Sequence, residues 1–206
     1  MRALAAECGM ANEFRFKDYP NEMKFTPVTD DAIGSLAAQY GLEFSADYRA
    51  FLKSHNGFYF DRMTAAERLA PGIETFDFIR YLFGIDTGHP YNDLRHYLAL
   101  PGVWDQALCA FACPVSDSRG GDPIVEIHKG IAKGRIFFVD HEVMPDVADL
   151  KAEGTDLATM SADEALEHLV EQGCFFQVAR SFSDYLKKLV VYDDDGSINV
   201  SIRCPL

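Results

Sequence analysis

The stretch from Val115 to Glu142, VSDSRGGDPIVEIHKGIAKGRIFFVDHE, decides the fold. Residues 123–128 set apolar side chains among polar ones, and residues 135–140 are mostly β-branched and aromatic. Glycine bounds each run, and a six-residue connection, 129–134, joins them. Both compositions are typical of β-strands, so we predict two neighbouring strands here.

A third strand is predicted immediately before this pair. Residues 108–115 form an apolar run, as a buried strand does. Residues 116–122 contain Gly120-Gly121, and glycine accepts a positive φ at little cost, so this segment is predicted to be the turn. The edges of three adjacent antiparallel strands need covering, and helical patterns flank them in the sequence. We therefore predict an α+β fold, a mostly antiparallel sheet covered by helices.

The helices are predicted from apolar residues three and four positions apart and from capping residues at their ends. The first begins at Thr29 or Asp30 and ends at Gly41, the second runs from Ser45 to Asn56-Gly57, and the others are 92–98 with Asn92 as cap, 161–172, and SFSDYLKKL from Ser181 or Ser183. The pair Ser161 and Glu164 has the spacing of a capping box.

Weaker strand patterns occur elsewhere. Residues 58–60 are predicted to be a short aromatic strand. Residues 74–85 predict either one long strand with an irregularity near Ile79-Arg80 or two strand segments. The polar, alanine-rich segment 61–71 between them is predicted to be a connection with one helical turn.

The length and composition favour one domain with extensions. The chain has 206 residues, of which 48% are hydrophobic, enough to bury about 70% of its unfolded surface in one core. Residues 1–26 mix charge, glycine and proline without a period, so we predict an N-terminal arm. The domain is predicted to span 27–206 and to end in a hairpin at about 188–203, with Asp195-Gly196 at its turn.

Cysteine usage and hydropathy favour a cytoplasmic protein. The chain has five cysteines, an odd number without the spacing of a small disulfide scaffold, which favours reduced thiols. The first 20 residues contain an apolar patch too short for a signal peptide. No run approaches the ~18 apolar residues that a membrane span needs.

The charge distribution favours a basic protein partner. The formal net charge is −13, and such a field repels nucleic acid and anionic membranes. Nearly all of this charge lies in two tracts. Residues 140–171 hold ten acidic residues and one basic residue, Lys151, and Asp193-Asp194-Asp195 adds three more acids.

Several short motifs follow one another in a characteristic order. They comprise Tyr48, Phe51, Leu52, Asn56 and Gly57 at the end of a helix; Gly120, Gly121 and Asp122 between two strands; Asp140, His141 and Glu142 after a strand; and Ser181, Phe182, Tyr185 and Leu186 in a terminal helix. In this order and at these intervals, about residues 30–190 resemble the SUKH superfamily, the Smi/Knr-type domain.

The resemblance implies an α+β domain with helices packed on a mostly antiparallel sheet. It also implies a non-enzymatic immunity protein that binds and neutralises a bacterial toxin, often a nuclease, in the cytoplasm. The alternative that it implies is a regulatory or scaffolding module of the kind that controls fungal cell-wall assembly. The N-terminal arm, an acidic insertion at about 143–173 and the terminal hairpin depart from the shorter members.

Three apparent chemical sites have simpler interpretations. Cys109, Cys113, His128 and His141 could be drawn as a zinc set, but the two cysteines fall inside a predicted strand, so buried free thiols are favoured. The Asp140-His141-Glu142 segment with Asp117 and Asp122 could act as acid and base, but no nucleophile motif accompanies it, and a network joining loop to strand is favoured. Asp193 to Gly196 lacks the twelfth-position acid of a calcium loop.

We therefore predict a surface for a basic protein toxin, with no cofactor and no metal. The candidate partner-binding residues are Asp117, Asp122, His141, Glu142, Asp163, Glu164, Glu167 and Glu171. A basic partner would relieve the repulsion among the clustered acids and would associate faster. Changing the last four residues to their amides is expected to weaken binding.

Overall fold

A six-stranded antiparallel sheet, in the order β1-β3-β4-β5-β6-β7, forms the centre of the protein. The computed structural model describes residues 26–60, 64–66, 79–100, 104–118 and 120–191, with the backbone alone for 64–66 and 190–191. The strands are β1 (Phe58–Tyr59), β2 (Thr64–Ala66), β3 (Ile79–Leu82), β4 (Ala112–Ser118), β5 (Pro123–Ile127), β6 (Ile136–Val139), β7 (Phe175–Ala179) and β8 (Leu189–Val191). Strands β2 and β8 pair separately as a two-stranded antiparallel sheet.

Six α-helices and two short 3₁₀ segments accompany the strands in the described residues. They are α1 (Asp30–Tyr40), α2 (Ala46–Ser54), α3 (Leu94–Ala99), α4 (Val147–Ala152), α5 (Ala162–Glu171), α6 (Phe182–Lys188) and the 3₁₀ segments Leu108–Ala110 and Leu157–Thr159. The α+β prediction is therefore confirmed. None of these helices has the length and apolarity needed to cross a bilayer.

Side-chain caps set the helix starts, as the sequence predicts. Thr29, Ser45 and Ser181 each accept a hydrogen bond from a backbone N–H in the first turn of α1, α2 and α6. The capping box at the start of α5 is complete, because Ser161 accepts from the Glu164 N–H while the Glu164 carboxylate accepts from the Ser161 N–H. These polar pairs fix the helix boundaries within a residue or two of the prediction.

Helices α2 and α6 pack on one face of the sheet, which we call the α2/α6 face. Their aromatic rings meet where Tyr48 lies 4.9 Å from Phe182, centroid to centroid. The Tyr185 hydroxyl of α6 donates to Ser116 Oγ on β4 at 3.1 Å. All of these side chains are buried, so the two helices and β4 share one core.

A β-bulge in β4 decides which side chains reach that face. Pro114 pairs with Val125 and Ser116 with Ile124, so Val115 has no counterpart on β5. The extra residue places Ser116 on the α2/α6 face and Asp117 on the opposite face, where Asp117 pairs with Pro123. The same opposite face carries Val139, because Ile124 pairs with Phe138.

Two local predictions are wrong in the described residues. The predicted strand 108–115 begins only at Ala112, and its first part is a 3₁₀ segment. Within the predicted connection 61–71, the described residues 64–66 form strand β2, which pairs with β8, and the rest of that segment lies outside the described residues. Helix α3 is capped by Asp93, while Asn92 is buried and accepts from Thr87.

Other predictions fall wholly or partly on segments outside the described residues. These are the N-terminal arm up to residue 25, the part of the long strand at 74–78, and the part of the terminal hairpin after Val191. In the part of that strand that is described, β3 shows a register irregularity between Ile79 and Tyr81, where the sequence predicts one.

Candidate partner-binding site

Asp122 and His141 form a hydrogen-bonded pair beside the turn between β4 and β5. His141 Nδ1 lies 2.6 Å from Asp122 Oδ1, and the His141 backbone N–H donates to the same oxygen at 3.1 Å. A carboxylate can only accept, so Nδ1 carries the proton. The hydrogen bond to Asp122 raises the pKa of His141, although half of the imidazole is exposed. This pair therefore joins the end of β6 to the β4–β5 turn.

Asp117 lies close to this pair and is partly buried. Desolvation raises its pKa to about 7, and the nearby charge of Asp122 acts in the same direction, while the Ser118 backbone N–H, Arg80 and His141 oppose the shift. Its Oδ1 atom is buried without a hydrogen-bond partner in the described residues. Three of the residues that the sequence analysis proposed, Asp117, Asp122 and His141, therefore lie close together in the structure. The exposed Glu142 is the next residue after His141.

None of the described cysteines offers this cluster an accessible thiolate. The described cysteines, Cys109, Cys113 and Cys174, are free and buried, and burial raises the pKa of each thiol. His128 Nε2 lies 2.9 Å from the carbonyl oxygen of Cys109, so this imidazole is engaged by backbone. Across the described ranges, no group of three or more His, Cys, Asp or Glu side chains could hold a metal ion. The side chains of the cluster that are accessible to a partner are those of His141 and Glu142, which are exposed.

The other four predicted residues lie on α5, where two of them have structural roles. Asp163 Oδ1 accepts from the Ile131 N–H at 2.7 Å and so holds the β5–β6 connection against the start of α5. Glu164 is the acidic member of the capping box. Glu167 and Glu171 are exposed, and neither has an ion-pair partner in the described part of the chain.

The two groups of predicted residues approach one another only at one end of the sheet. Asp163 lies at the β5–β6 connection, whereas Asp122 lies at the opposite end of β5. Helix α5 runs from the β5–β6 connection toward the other end of the sheet. Its end is located there by a hydrogen bond from the Asp140 N–H to the carbonyl of Cys174, which lies just after the helix. Glu171 therefore lies near the Asp140–Glu142 end, and Glu164 lies at the far end.

A cavity of about 830 Å³ opens beside His141, and we call it the Trp104 cavity. It lies on the sheet face opposite α2 and α6, since both Pro123 and Val139 contribute to it. Its walls combine apolar and polar side chains. The apolar ones include Leu98, Leu100, Trp104, Leu108, Met144 and Val147, and the polar ones are Asp105, Gln106, His141 and Asp146.

A comparison with protein families identifies the domain. Residues 27–188 match the model of the SMI1/KNR4 family (SUKH-1). The chain belongs to this family. SUKH domains comprise immunity proteins and cell-wall regulators, they generally bind partner proteins such as toxins, and they are generally non-catalytic. No curated protein and no solved structure matches the chain.

Several SUKH motif residues of this chain have structural roles. Asn56 is buried with a φ of 51°, and its amide makes hydrogen bonds to both the N–H and the carbonyl of Ile85 and to the carbonyl of Thr26. Gly57 follows at a φ of 98°, a region that favours glycine. The Asn-Gly motif of this SUKH domain therefore ties the end of α2 to the segment after β3.

The sequence prediction of the SUKH site missed the Trp104 cavity entirely. Its walls come from the segments before β4 and after β6, which are distant in sequence and meet only through the sheet pairing. The sequence contains only weak indications of this cavity. Trp104 is the only tryptophan and precedes the central strands, and the sequence MPDV places apolar and acidic side chains side by side at residues 144–147.

Proposed function

We propose that this SUKH domain is a cytoplasmic, non-enzymatic immunity protein that binds a basic bacterial toxin and blocks its active site. The observation that carries the proposal is the exposed acidic face of α5, where Glu167 and Glu171 lack cationic neighbours in the described residues. Family membership supports it, because SUKH domains generally bind partner proteins such as toxins. Exposed charges without a partner steer a basic protein toward this face and cost little to desolvate at the rim of an interface.

The proposal assigns different contributions to the candidate residues. Glu142, Glu167 and Glu171 are exposed and would contact the partner directly. Asp163 and Glu164 would act mainly by holding α5 and its connection in place. Asp117 and Asp122 are at least partly buried, so we expect them to position His141 and the β4–β5 turn beneath that surface.

The first test is capture followed by a toxicity assay. A tagged chain is used to retain proteins from a lysate of the native host at low and at moderate salt, and the retained proteins are identified by mass. We expect one basic protein whose retention falls as salt rises. Expression of that protein alone should stop growth of a heterologous bacterium, and co-expression of this chain should restore growth. A captured protein without toxicity, or a set of wall-synthesis or signalling proteins, would favour the regulatory alternative.

A matched pair of charge variants tests the role of α5. The Glu167→Gln/Glu171→Gln variant is expected to bind the captured protein about fivefold to tenfold more weakly, through slower association at low salt. The control variant, Asp30→Asn/Asp31→Asn, removes two charges from the first turn of α1 and should leave affinity within about twofold. Equal losses in the two variants would assign the effect to net charge rather than to the α5 face.

A further inference from the structure

The Trp104 cavity combines an apolar interior with an acidic rim. Leu98, Leu108 and Val139 are buried in its walls, while Leu100 remains 37% exposed at its edge. Val143, next to the lining residue Met144, is 51% exposed. Large exposed apolar side chains at the mouth of an apolar cavity are typical of surfaces that a partner covers.

The charged side chains that line the cavity in the described residues are acidic, apart from His141. They include Asp105 and Asp146, and none of the described lining residues is a lysine or an arginine. Each of these two carboxylates uses Oδ1 to accept a backbone N–H, Asp105 from Ala107 and Asp146 from Ala148. In the described residues neither has an ion-pair partner, so each can accept a cation from outside.

The position of the cavity connects it to the acidic surface of the proposed function. His141 lines the cavity, and Glu142 is the next residue in the chain. Glu171, in the last turn of α5, lies at the same end of the sheet. A partner seated on the α5 face could therefore insert a side chain into the cavity without leaving the acidic surface. An apolar anchor in a pocket surrounded by charged contacts is the usual arrangement of a binding hot spot.

We propose that the Trp104 cavity receives an apolar side chain, leucine-like or aromatic, from a segment of the basic partner, while a neighbouring lysine or arginine of that segment pairs with Asp105 and Asp146. This inference rests on the proposed function, because it assigns the place where the partner is anchored. The charge complementarity of the rim selects a basic segment, and the apolar walls select the anchor.

Trp104 supplies a direct readout, because it is the only tryptophan of the chain and it lines the cavity. The probe is a synthetic peptide of three Lys-Lys-Leu-Leu repeats, titrated into the full chain at pH 8 while tryptophan emission is recorded. Two matched peptides serve as controls, one with glutamate for lysine and one with serine for leucine. We expect a saturable change in emission with the first peptide and at least about tenfold weaker binding of the other two. No saturable change, or an equal response to the acidic peptide, would contradict the proposal.

Isosteric variants test the rim without disturbing the fold. The Asp105→Asn/Asp146→Asn variant keeps both backbone hydrogen bonds, and asparagine caps a helix such as α4 as well as aspartate does. It is expected to bind the peptide and the captured partner about fivefold to tenfold more weakly. Leu100→Ser should weaken both by a similar factor, whereas Ile131→Ser, an 85% exposed residue at the opposite end of the sheet, should change neither.

The outcomes separate this inference from the proposed function. If the captured toxin binds the wild type and both cavity variants equally, the anchor lies elsewhere and the inference is wrong, while toxin neutralisation stands. If the peptide binds at Trp104 and the variants weaken it, but no toxic partner is captured, the proposed function is wrong and the cavity remains a site for a basic segment. Circular dichroism of each variant verifies that the fold is intact.

Discussion

One buried neighbour, Asp122, makes the largest contribution to the pKa of His141. Only 9% of the Asp122 side chain is exposed, and its carboxylate accepts from both the ring and the backbone of His141. Because a charge-assisted hydrogen bond favours the imidazolium, Asp122 raises the pKa of His141, and the negative charges of Glu142 and Asp140 act in the same direction. A buried carboxylate therefore has the largest influence on the protonation of a residue at the edge of the cavity.

The Asp122→Asn variant tests this dependence. Asparagine can still accept the His141 backbone N–H, but it lacks the negative charge that stabilises the imidazolium, so the pKa of His141 should fall. An NMR titration of the imidazole C–H signals measures it. The pKa of His55, which burial lowers without any contribution from Asp122, should stay the same. An unchanged pKa of His141 would show that Asp122 does not control its protonation.

At the scale of elements, Asn56 joins the end of α2 to Ile85 beyond β3 by two hydrogen bonds and to Thr26 before α1 by a third. The neighbouring backbone is closely packed, because a Cβ on Gly84 would overlap the carbonyl group of Asn56. The link holds the helix that covers the sheet centre against the segment leading to α3.

Replacing this amide should be costly. We expect Asn56→Ala to lower the free energy of unfolding by about 3 kcal/mol, since it leaves the buried N–H and C=O of Ile85 unpaired. Ser54→Ala, at the exposed end of the same helix, should cost less than about 0.5 kcal/mol. Urea unfolding followed by circular dichroism gives both values. A loss below about 1 kcal/mol for Asn56→Ala would contradict the structural role assigned to it.

Elements defined by local signals were predictable from the sequence. The Thr29, Ser45, Ser161 and Ser181 caps and the Gly41 and Gly173 ends are encoded within a few residues of each boundary. Two elements could not be predicted in this way. The 3₁₀ segment at Leu108 depends on burial, and strand β2 depends on pairing with β8, which is distant in sequence.

The candidate site was predictable only in part, for the same reason. Asp117, Asp122 and His141 flank turns of one meander, so the topology that the sequence indicates also brings them together. Asp105 and Asp146 are separated by three strands, and their proximity depends on how two irregular segments fold back over the sheet. No local sequence pattern predicts that these two residues lie close together.

At the scale of the whole molecule, the buried carboxylate of Glu126 makes the free energy of unfolding depend on pH. Glu126 is 1% exposed on β5, and desolvation raises its pKa to about 7, although Ser45 at the start of α2 partly opposes the shift. In the part of the chain that the structure describes, no donor forms a well-directed hydrogen bond with either carboxylate oxygen. Because the pKa is higher in the folded state, the stabilisation is complete below about pH 4.5 and is lost as the pH rises through about 7.

The Glu126→Gln variant should remove this dependence. Between pH 5 and pH 8 the free energy of unfolding of the wild type is expected to fall by about 2 to 3 kcal/mol more than that of the variant. Asp117 titrates in both proteins, so the difference isolates Glu126. Denaturant unfolding at several pH values measures it, with exposed Glu167→Gln as the control. Parallel pH profiles of wild type and Glu126→Gln would show that Glu126 is already ionised in the folded protein.

The bulge at Val115 lets β4 lose one residue without changing its two faces. Because Val115 has no counterpart on β5, a one-codon deletion of Val115 would leave Ser116 opposite Ile124 and Asp117 opposite Pro123, and would convert the bulge into a regular ladder. The Ser116 hydroxyl would stay in the α2/α6 core, where Tyr185 donates to it, and the Asp117 carboxylate would stay on the opposite face. The bulge therefore buffers the register of the central sheet against the loss of one residue during evolution.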